Sequence, residues 1–140
     1  MKKHNIVKYE ITSDGVDVHQ DVKLYEGNLP ELPFQFNEVH GSFACRDNGL
    51  QSLRGSPRLV HADFNCSSNK LTSLEHAPKV VHGNFYCYDN QIPTWEHRYL
   101  LFSEIQGMIL TNNYPLDLWF RRYQNQKSLI PEALKELRKL

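Results

Sequence analysis

The feature that most constrains this chain is a repeat with a period of 21 residues. The segments VHGSFACRDNGLQSLRGSP, VHADFNCSSNKLTSLEHAP and VHGNFYCYDNQIPTWEHRY begin at Val39, Val60 and Val81 and align without a gap. A fixed period of this size is typical of a solenoid, in which each coil buries its apolar side chains only against its neighbours. Residues recur in these columns: Val39/Val60/Val81, Phe43/Phe64/Phe85, Cys45/Cys66/Cys87, Asn48/Asn69/Asn90, Leu50/Leu71/Ile92 and Leu53/Leu74/Trp95.

The residues before the repeats predict a β cap and a degenerate first coil. Asp14-Gly15 lies between two segments of alternating polarity, which is a strong signal for a β-hairpin. We therefore expect residues 5–24 to form an N-terminal β cap, and residues 1–38 to hold this cap and the first coil. Apolar residues occupy roughly corresponding places one period before the first clear repeat: Val18, Val22, Leu24, Leu29 and Leu32.

The chain after the repeats predicts helices, because its apolar period changes from 2 towards 3.6 residues. A second helix is expected to begin at Pro115 and a third at Pro131. Because the third repeat ends in IPTW, we expect the solenoid to stop at residue 95 and residues 96–140 to form a helical cap over the open sheet edge. The first helix has the apolar stripe Trp95, Tyr99, Phe102 and Ile105, and the third has Ile130, Leu134 and Leu137.

The repeat, FxCxxNxLxxL, resembles the strand-forming core of the leucine-rich repeat. Its longer form, VxGxFxCxxNxLxSLxGxP, is similar to short leucine-rich-repeat proteins often encoded by large tailed bacteriophages and by some bacteria. The resemblance covers residues 18–95 and departs from the pattern at Ala62, where the other two repeats have glycine, and at His76, where the first repeat has Gly55. It implies a single domain, residues 1–140. The implied fold class is an α/β solenoid, a leucine-rich repeat with a parallel β-sheet, an N-terminal β-hairpin cap and a C-terminal helical cap.

Alternation within each repeat predicts which side chains are buried. Every second residue of 39–45, and of its two copies, falls on the inward face. The cysteines share that face and number three in a chain without a secretion signal, so we expect buried, inert, reduced thiols. We predict a ladder of side-chain amides formed by Asn48, Asn69 and Asn90. These amides would hydrogen-bond to backbone groups that each bend leaves unpaired.

Four of the seven histidines occupy one outward column of successive coils: His19, His40, His61 and His82. In a parallel stack such residues lie ~4.8 Å apart. Clustered imidazoles coordinate metals, and they repel one another when protonated, so a metal site and a pH sensor both come into consideration. Equally spaced parallel rings do not converge on one point as a tetrahedral site requires. We therefore expect a surface ladder and no metal.

Composition and motifs argue against several classes of function. The 16 basic and 16 acidic residues cancel, which removes the long-range field of a dedicated nucleic-acid binder. His61, Asp63 and Ser42 share only residue types with a hydrolytic triad, and no nucleophile elbow, phosphate loop, CxxC or HExxH motif occurs. We expect no enzyme and no cofactor. Without an apolar run of ~20 residues or a signal peptide, no membrane is expected as a partner and the predicted location is the cytoplasm, of the host cell if phage-encoded.

The outward columns of the repeats supply a predicted surface for protein binding. Tyrosine is favoured at interfaces because it offers a large contact area at low conformational cost. Tyr86 and Tyr88 could instead shield the last coil against the helical cap. The resemblance implies a phage-encoded factor that binds and modulates or inhibits a host protein or defence complex. The predicted partner-binding residues are His40, Arg46, His61, Asp63, Asn65, His82, Asn84, Tyr86 and Tyr88.

An alternative function is nucleic-acid binding through the basic C-terminal segment. Residues 117–140 contain six basic and three acidic side chains, and aromatic residues alternate with arginines there. A short amphipathic helix that buries its aromatics and leaves its arginines at the surface explains the same pattern. The candidate nucleic-acid patch comprises Arg121, Arg122, Lys127, Lys135, Arg138 and Lys139.

Overall fold

Each coil of the chain turns a corner between two short strands. The computed structural model describes residues 2–140 and shows a β-solenoid of about five turns followed by helices. One sheet has the order β1-β2-β4-β6-β8-β10 and the other β11-β9-β7-β5-β3, and neighbouring coils pair in parallel. The strands are β1 (Tyr9–Thr12), β2 (Gly15–Val18), β3 (Val22–Lys23), β4 (Phe36–Val39), β5 (Phe43–Ala44), β6 (Leu59–Val60), β7 (Phe64–Asn65), β8 (Val80–Val81), β9 (Phe85–Tyr86), β10 (Glu104–Ile105) and β11 (Ile109–Leu110).

The structure has two parallel sheets where the sequence predicted one. Residues 39–45 do not form a single straight strand, because the chain bends at residues 40–42. At this corner the backbone N–H of Ser42 donates to the Asp21 carboxylate at 2.8 Å, so a side chain of the preceding coil holds the bend. A Cβ atom on Gly41 would collide with that same carboxylate. The corner therefore needs a small residue beside the carboxylate.

The repeat period sets the register within both sheets. Val39 pairs with Val60 in the first sheet, and Phe43 pairs with Phe64 in the second. The phenylalanine rings consequently stack, with centroids 5.5 Å apart between Phe43 and Phe64 and 5.0 Å apart between Phe64 and Phe85. The predicted buried columns of valine, phenylalanine and cysteine are confirmed, since all nine side chains are buried. The glycine column lies at the corner and is only half-buried.

The predicted N-terminal hairpin and degenerate first coil are confirmed. β1 and β2 pair in antiparallel fashion, with Thr12 opposite Gly15 at the turn. β2 also pairs in parallel with β4, and β3 pairs in parallel with β5. The hairpin therefore extends the first sheet, while its second strand already belongs to the first coil.

The solenoid does not stop at residue 95, and this prediction was wrong. β10 and β11 add a further turn, pairing in parallel with β8 and β9. The residues before it form a 3-10 helix, Thr94–Phe102, on which Phe102 is 56% exposed, while Ile105 lies in a strand. The expected helical stripe through Ile105 is therefore wrong, and residues 104–110 within the predicted helical cap are strands. Ile105 and Ile109 stand in register with Val81 and Phe85 in this turn.

The two later helices begin where the sequence predicted them. They are α1 (Tyr114–Tyr123) and α2 (Ile130–Leu137), with Pro115 and Pro131 in their first turns. Trp119 is buried between them and donates its indole N–H to the carbonyl oxygen of Ala133 at 3.0 Å. Short 3-10 helices span Lys2–His4 and Lys127–Leu129. Across residues 2–140, no helix has the length and apolar character needed to traverse a bilayer.

Candidate binding surface

The histidine column forms a stacked ladder on the corner between the two sheets. Each of the last three histidines directly follows the final residue of a first-sheet strand in the sequence. The strand register therefore also sets the spacing of the imidazoles. The centroid of His40 lies 4.4 Å from that of His19 and 4.5 Å from that of His61, with ring planes 18° and 15° apart. His82 lies 5.3 Å from His61 but is turned by 78°. The predicted surface ladder is confirmed, and its last ring departs from the parallel arrangement.

Glu38 joins this ladder and was missed by the sequence analysis. Its Oε1 atom lies 2.8 Å from Nε2 of His61 and 3.6 Å from Nε2 of His40. The side chains are partly exposed, at 25% for Glu38, 37% for His40 and 36% for His61. An acidic residue two positions before one histidine of the column is the signal that could have identified it, because side chains two apart on a strand share a face.

The side-chain oxygens of three predicted binding residues accept hydrogen bonds from the backbone of the fold itself. The Asp63 carboxylate accepts the backbone N–H of Asn84 at 2.7 Å, and the Asn84 amide oxygen accepts that of Met108 at 2.8 Å. The amide oxygen of Asn65 accepts the backbone N–H of Ser67 at 3.0 Å. Asp63 and Asn84 therefore hold the corners of successive coils, as Asp21 does in the first coil.

Tyr86 and Tyr88 form the clearest contact patch on the outer face of the second sheet. Their ring centroids lie 6.4 Å apart at 89°, and the Tyr86 hydroxyl accepts a hydrogen bond from the Asn84 side chain at 3.0 Å. Both tyrosines are half-buried, and Tyr86 lies between its strand neighbours Asn65 and Leu110. Met108, which is 49% exposed, accepts a backbone hydrogen bond from Phe85 in the same sheet. We call Tyr86, Tyr88 and Met108 the tyrosine patch.

The other predicted binding residues are exposed, and their contacts are with residues other than the two tyrosines. Arg46 is exposed, and its guanidinium lies 3.7 Å from the carboxylate of the adjacent Asp47. His40, His61 and His82 belong to the corner ladder. The predicted set thus divides into a histidine corner, a tyrosine patch and residues that hold the coils together.

The basic C-terminal residues are exposed, but two of them are engaged with neighbouring side chains. Arg122 lies 3.5 Å from Glu136, and the Arg138 guanidinium lies 4.7 Å above the Trp95 ring. Three of the four aromatic residues of α1 are buried, Trp119, Phe120 and Tyr123, while Tyr114 at its start is exposed. The buried rings cannot stack on bases, so the arrangement matches an amphipathic helix better than a single-strand binding groove. All six residues of the nucleic-acid patch lie at the surface: Arg121, Arg122, Lys127, Lys135, Arg138 and Lys139.

The cysteines lie inside the solenoid. Burial raises the pKa of the Cys45 thiol to about 12, and burial with the neighbouring cysteines raises the pKa of Cys66 well above its usual value. The Sγ atoms of Cys45 and Cys66 approach the carbonyl oxygens of Asn65 and Tyr86 at 3.6 and 3.4 Å. The thiolate is the reactive form of cysteine, so these protonated, enclosed side chains are packing residues.

A concavity that was not identified from the sequence is lined in part by residues of β4, Phe36 and Asn37. It is a groove of about 900 Å³. Its charged lining combines Arg54, Arg58 and Lys79 with Asp14 and Glu75. Charges of both signs therefore line the groove.

The protein is a β-solenoid whose surface carries a ladder of imidazoles and a pair of tyrosines. Comparisons of the chain with protein-family models, with curated proteins and with solved structures each found no match.

Proposed function

We propose that this protein is a non-catalytic protein-binding module whose main contact is the tyrosine patch. The observation that carries the proposal is the perpendicular Tyr86–Tyr88 pair, half-exposed on a sheet held in register by parallel neighbours. Tyrosine loses little side-chain entropy on binding, and a rigid backbone reduces the ordering cost further. A partner that covers the patch would bury both rings and the adjacent Met108.

We also propose that the coils are leucine-rich repeats of the phage-encoded type. The recurrent asparagine and the apolar columns support this identity, because both belong to the repeat pattern. On this resemblance the partner is a host protein or a defence complex that the protein binds and inhibits in the host cytoplasm. The biological setting depends on the resemblance, whereas the contact surface depends on the geometry of the tyrosines.

The test compares a patch variant with a matched tyrosine variant elsewhere. Tyr86→Ala/Tyr88→Ala removes the pair, while Tyr114→Ala removes a ring that is 68% exposed at the start of α1. Each tagged protein is incubated with bacterial lysate, with and without nuclease, and retained proteins are identified by mass spectrometry. We expect the wild type and Tyr114→Ala to retain one stoichiometric protein regardless of nuclease, and the double variant to lose it. Thermal unfolding of all three verifies that the fold is intact.

Two outcomes would contradict the proposal. Retention of the same protein by the folded double variant would exclude the tyrosine patch as the contact. Recovery of many nucleic-acid-associated proteins that disappear with nuclease would transfer the function to the basic C-terminal residues. Charge reversal at Arg121, which is exposed on α1, would then be expected to reduce that recovery.

A further inference from the structure

We propose that Glu38, His40 and His61 bind one divalent transition-metal ion of the zinc type at the corner of the solenoid. This site is separate from the tyrosine patch and does not depend on the proposed function. Two imidazoles and one carboxylate form a ligand set that zinc uses in proteins, with a fourth position open to water. The Glu38 carboxylate lies beside the Nε2 atoms of both histidines.

The separations between the ligand atoms are close to those a metal requires. Two ligands that each lie 2.0–2.1 Å from zinc can be at most ~4.2 Å apart. Glu38 Oε1 lies 2.8 Å from His61 Nε2 and 3.6 Å from His40 Nε2, and all three atoms lie within 4.8 Å of one another. Binding would require rotation of the His40 or His61 ring, because these rings are stacked with their planes 15° apart.

The backbone beneath these ligands is fixed. Val39 and Val60 pair in register, and the His61 N–H donates to the Val39 carbonyl oxygen at 3.0 Å. The carboxylate comes from β4 and the imidazoles from the residues that follow β4 and β6. Because the strands hold the Cα positions, the entropic cost of assembling the three ligands is limited to side-chain torsions.

Parallel imidazoles alone would not form such a site, because their in-plane lone pairs do not meet. The His82 ring stands 78° from that of His61, so a ring of this column can lie out of the stack. The His40 and His61 planes are 15° apart, so one of these two rings must turn out of the stack to bind the ion. Glu38 supplies the convergence that the histidine column lacks, because its oxygen faces the Nε2 atoms of both His40 and His61.

The site should favour metals that accept nitrogen and oxygen ligands. Imidazole suits zinc, copper and nickel, whereas magnesium and calcium prefer oxygen ligands alone. An imidazole nitrogen must be deprotonated to bind a metal, so protons compete with the ion for this site. The three cysteines are buried and do not compete for the ion in the folded protein.

The test is calorimetric titration of tag-free, chelator-treated protein with Zn²⁺ at pH 7.5. The variants Glu38→Gln and His61→Ala each remove one ligand. His76→Ala is the matched control, because His76 is exposed and lies 4.0 Å from Glu75 but belongs to no such cluster. We expect one equivalent of zinc in the wild type and in His76→Ala, with affinity about 10-fold or more weaker in the two ligand variants. Co²⁺ in place of zinc should give the visible absorption of a low-symmetry, four-coordinate complex.

Three results would overturn the proposal. The first is no heat of binding in the wild type at millimolar zinc. The second is equal weakening by His76→Ala and His61→Ala, which would indicate diffuse association with surface histidines. The third is unchanged affinity in Glu38→Gln, which would show that the carboxylate is not a ligand. Equal unfolding temperatures of all variants without metal ensure that each comparison concerns binding.

Discussion

The side-chain amide of Asn69 reaches one coil back and accepts the backbone N–H of Asn48 at 3.0 Å. The same oxygen accepts the N–H of Leu50, and the Nδ2 group donates to the carbonyl oxygens of Cys45 and Cys66 at 3.1 and 3.0 Å. One side chain thus satisfies backbone groups in two coils. The predicted amide ladder is confirmed, and it stabilises the stack at each bend.

We expect Asn69→Ala to lower the free energy of unfolding by about 3 kcal/mol, because several backbone groups would lose their partner and each such loss costs about 1–3 kcal/mol when the site stays dry. The matched control is Gln51→Ala, which truncates an exposed amide and should change stability by less than about 0.5 kcal/mol. Urea unfolding followed by circular dichroism measures both. Equal stability of the two variants would show that water replaces the amide without cost.

The phenylalanine stack gives a second prediction about stability. Phe64 is fully buried between Phe43 and Phe85, so Phe64→Ala should cost about 3–5 kcal/mol, whereas Phe64→Leu should cost much less. Phe102→Ala is the control, because that ring is 56% exposed in the 3-10 helix. Thermal and urea unfolding should give the order Phe64→Ala, Phe64→Leu, Phe102→Ala from least to most stable. An equal effect of the two alanine variants would contradict it.

The parts of the fold that follow from periodicity were predictable. The 21-residue spacing alone places Val39 over Val60 and Phe43 over Phe64, and the strand register agrees. The corner at residues 40–42 was not predictable, because alternation continues through it and its cause is a contact with Asp21 in another coil. The last turn was missed because Ile105 and Ile109 take the inward places without the phenylalanine, cysteine and asparagine that mark the three clear repeats.

His76 illustrates a departure from the repeat that carries a cost. Its backbone has a φ of 71°, and Gly55 at the equivalent position has a φ of 95°, a region that side chains with a Cβ disfavour. The histidine side chain is exposed, and its contact with Glu75 is long at 4.0 Å. His76→Gly should therefore raise the free energy of unfolding by about 0.5–1 kcal/mol. Gly55→Ala should lower it, since the added Cβ would lie 2.9 Å from the Phe34 carbonyl oxygen. If His76→Gly instead lowers the free energy of unfolding, backbone strain at this turn does not determine the effect of the substitution.

The cysteine thiols should not react in the native protein. With the thiols buried and the pKa of Cys45 raised to about 12, an aromatic disulfide reagent at pH 8 should titrate no thiol in buffer and all three in guanidinium chloride. Gln51→Cys places one thiol at the surface and should add one rapid equivalent in buffer. Rapid reaction of the unmodified chain would mean that the solenoid opens readily.

The candidate site was only partly predictable. The histidine column was visible in the sequence because successive coils carry a histidine at the same surface position. Tyr86 was visible because it is an aromatic residue at an outward position of the third repeat. Within the three clear repeats Glu38 has no acidic counterpart, since Leu59 and Val80 occupy its column there and Glu104 continues it only in the last turn, so a search of those repeats passes over it. The structural roles of Asp63 and Asn84 depend on backbone groups of adjacent coils, and no alignment of side chains reveals those partners.

Stability should fall in mild acid because of His97, a buried imidazole whose Nδ1 lies 3.0 Å from the Pro93 carbonyl oxygen. Burial lowers the pKa of His97 from its ordinary value of 6.5, although nearby carbonyls, Asp117 and Glu96 oppose the shift. The unfolded chain therefore binds a proton at higher pH than the folded chain. The corresponding stability is present above pH 6.5 and is lost as pH falls from there through the folded-state pKa.

The comparison variant for this effect is His97→Gln, which does not titrate and keeps a side-chain donor near Pro93. Because every other histidine is common to both proteins, the difference between their unfolding free energies isolates His97. We expect the wild type to lose more stability than His97→Gln between pH 7.5 and pH 5, as measured by urea unfolding at each pH. Parallel pH profiles would show that the imidazole either gains a proton without penalty in the folded protein or is already hydrated there.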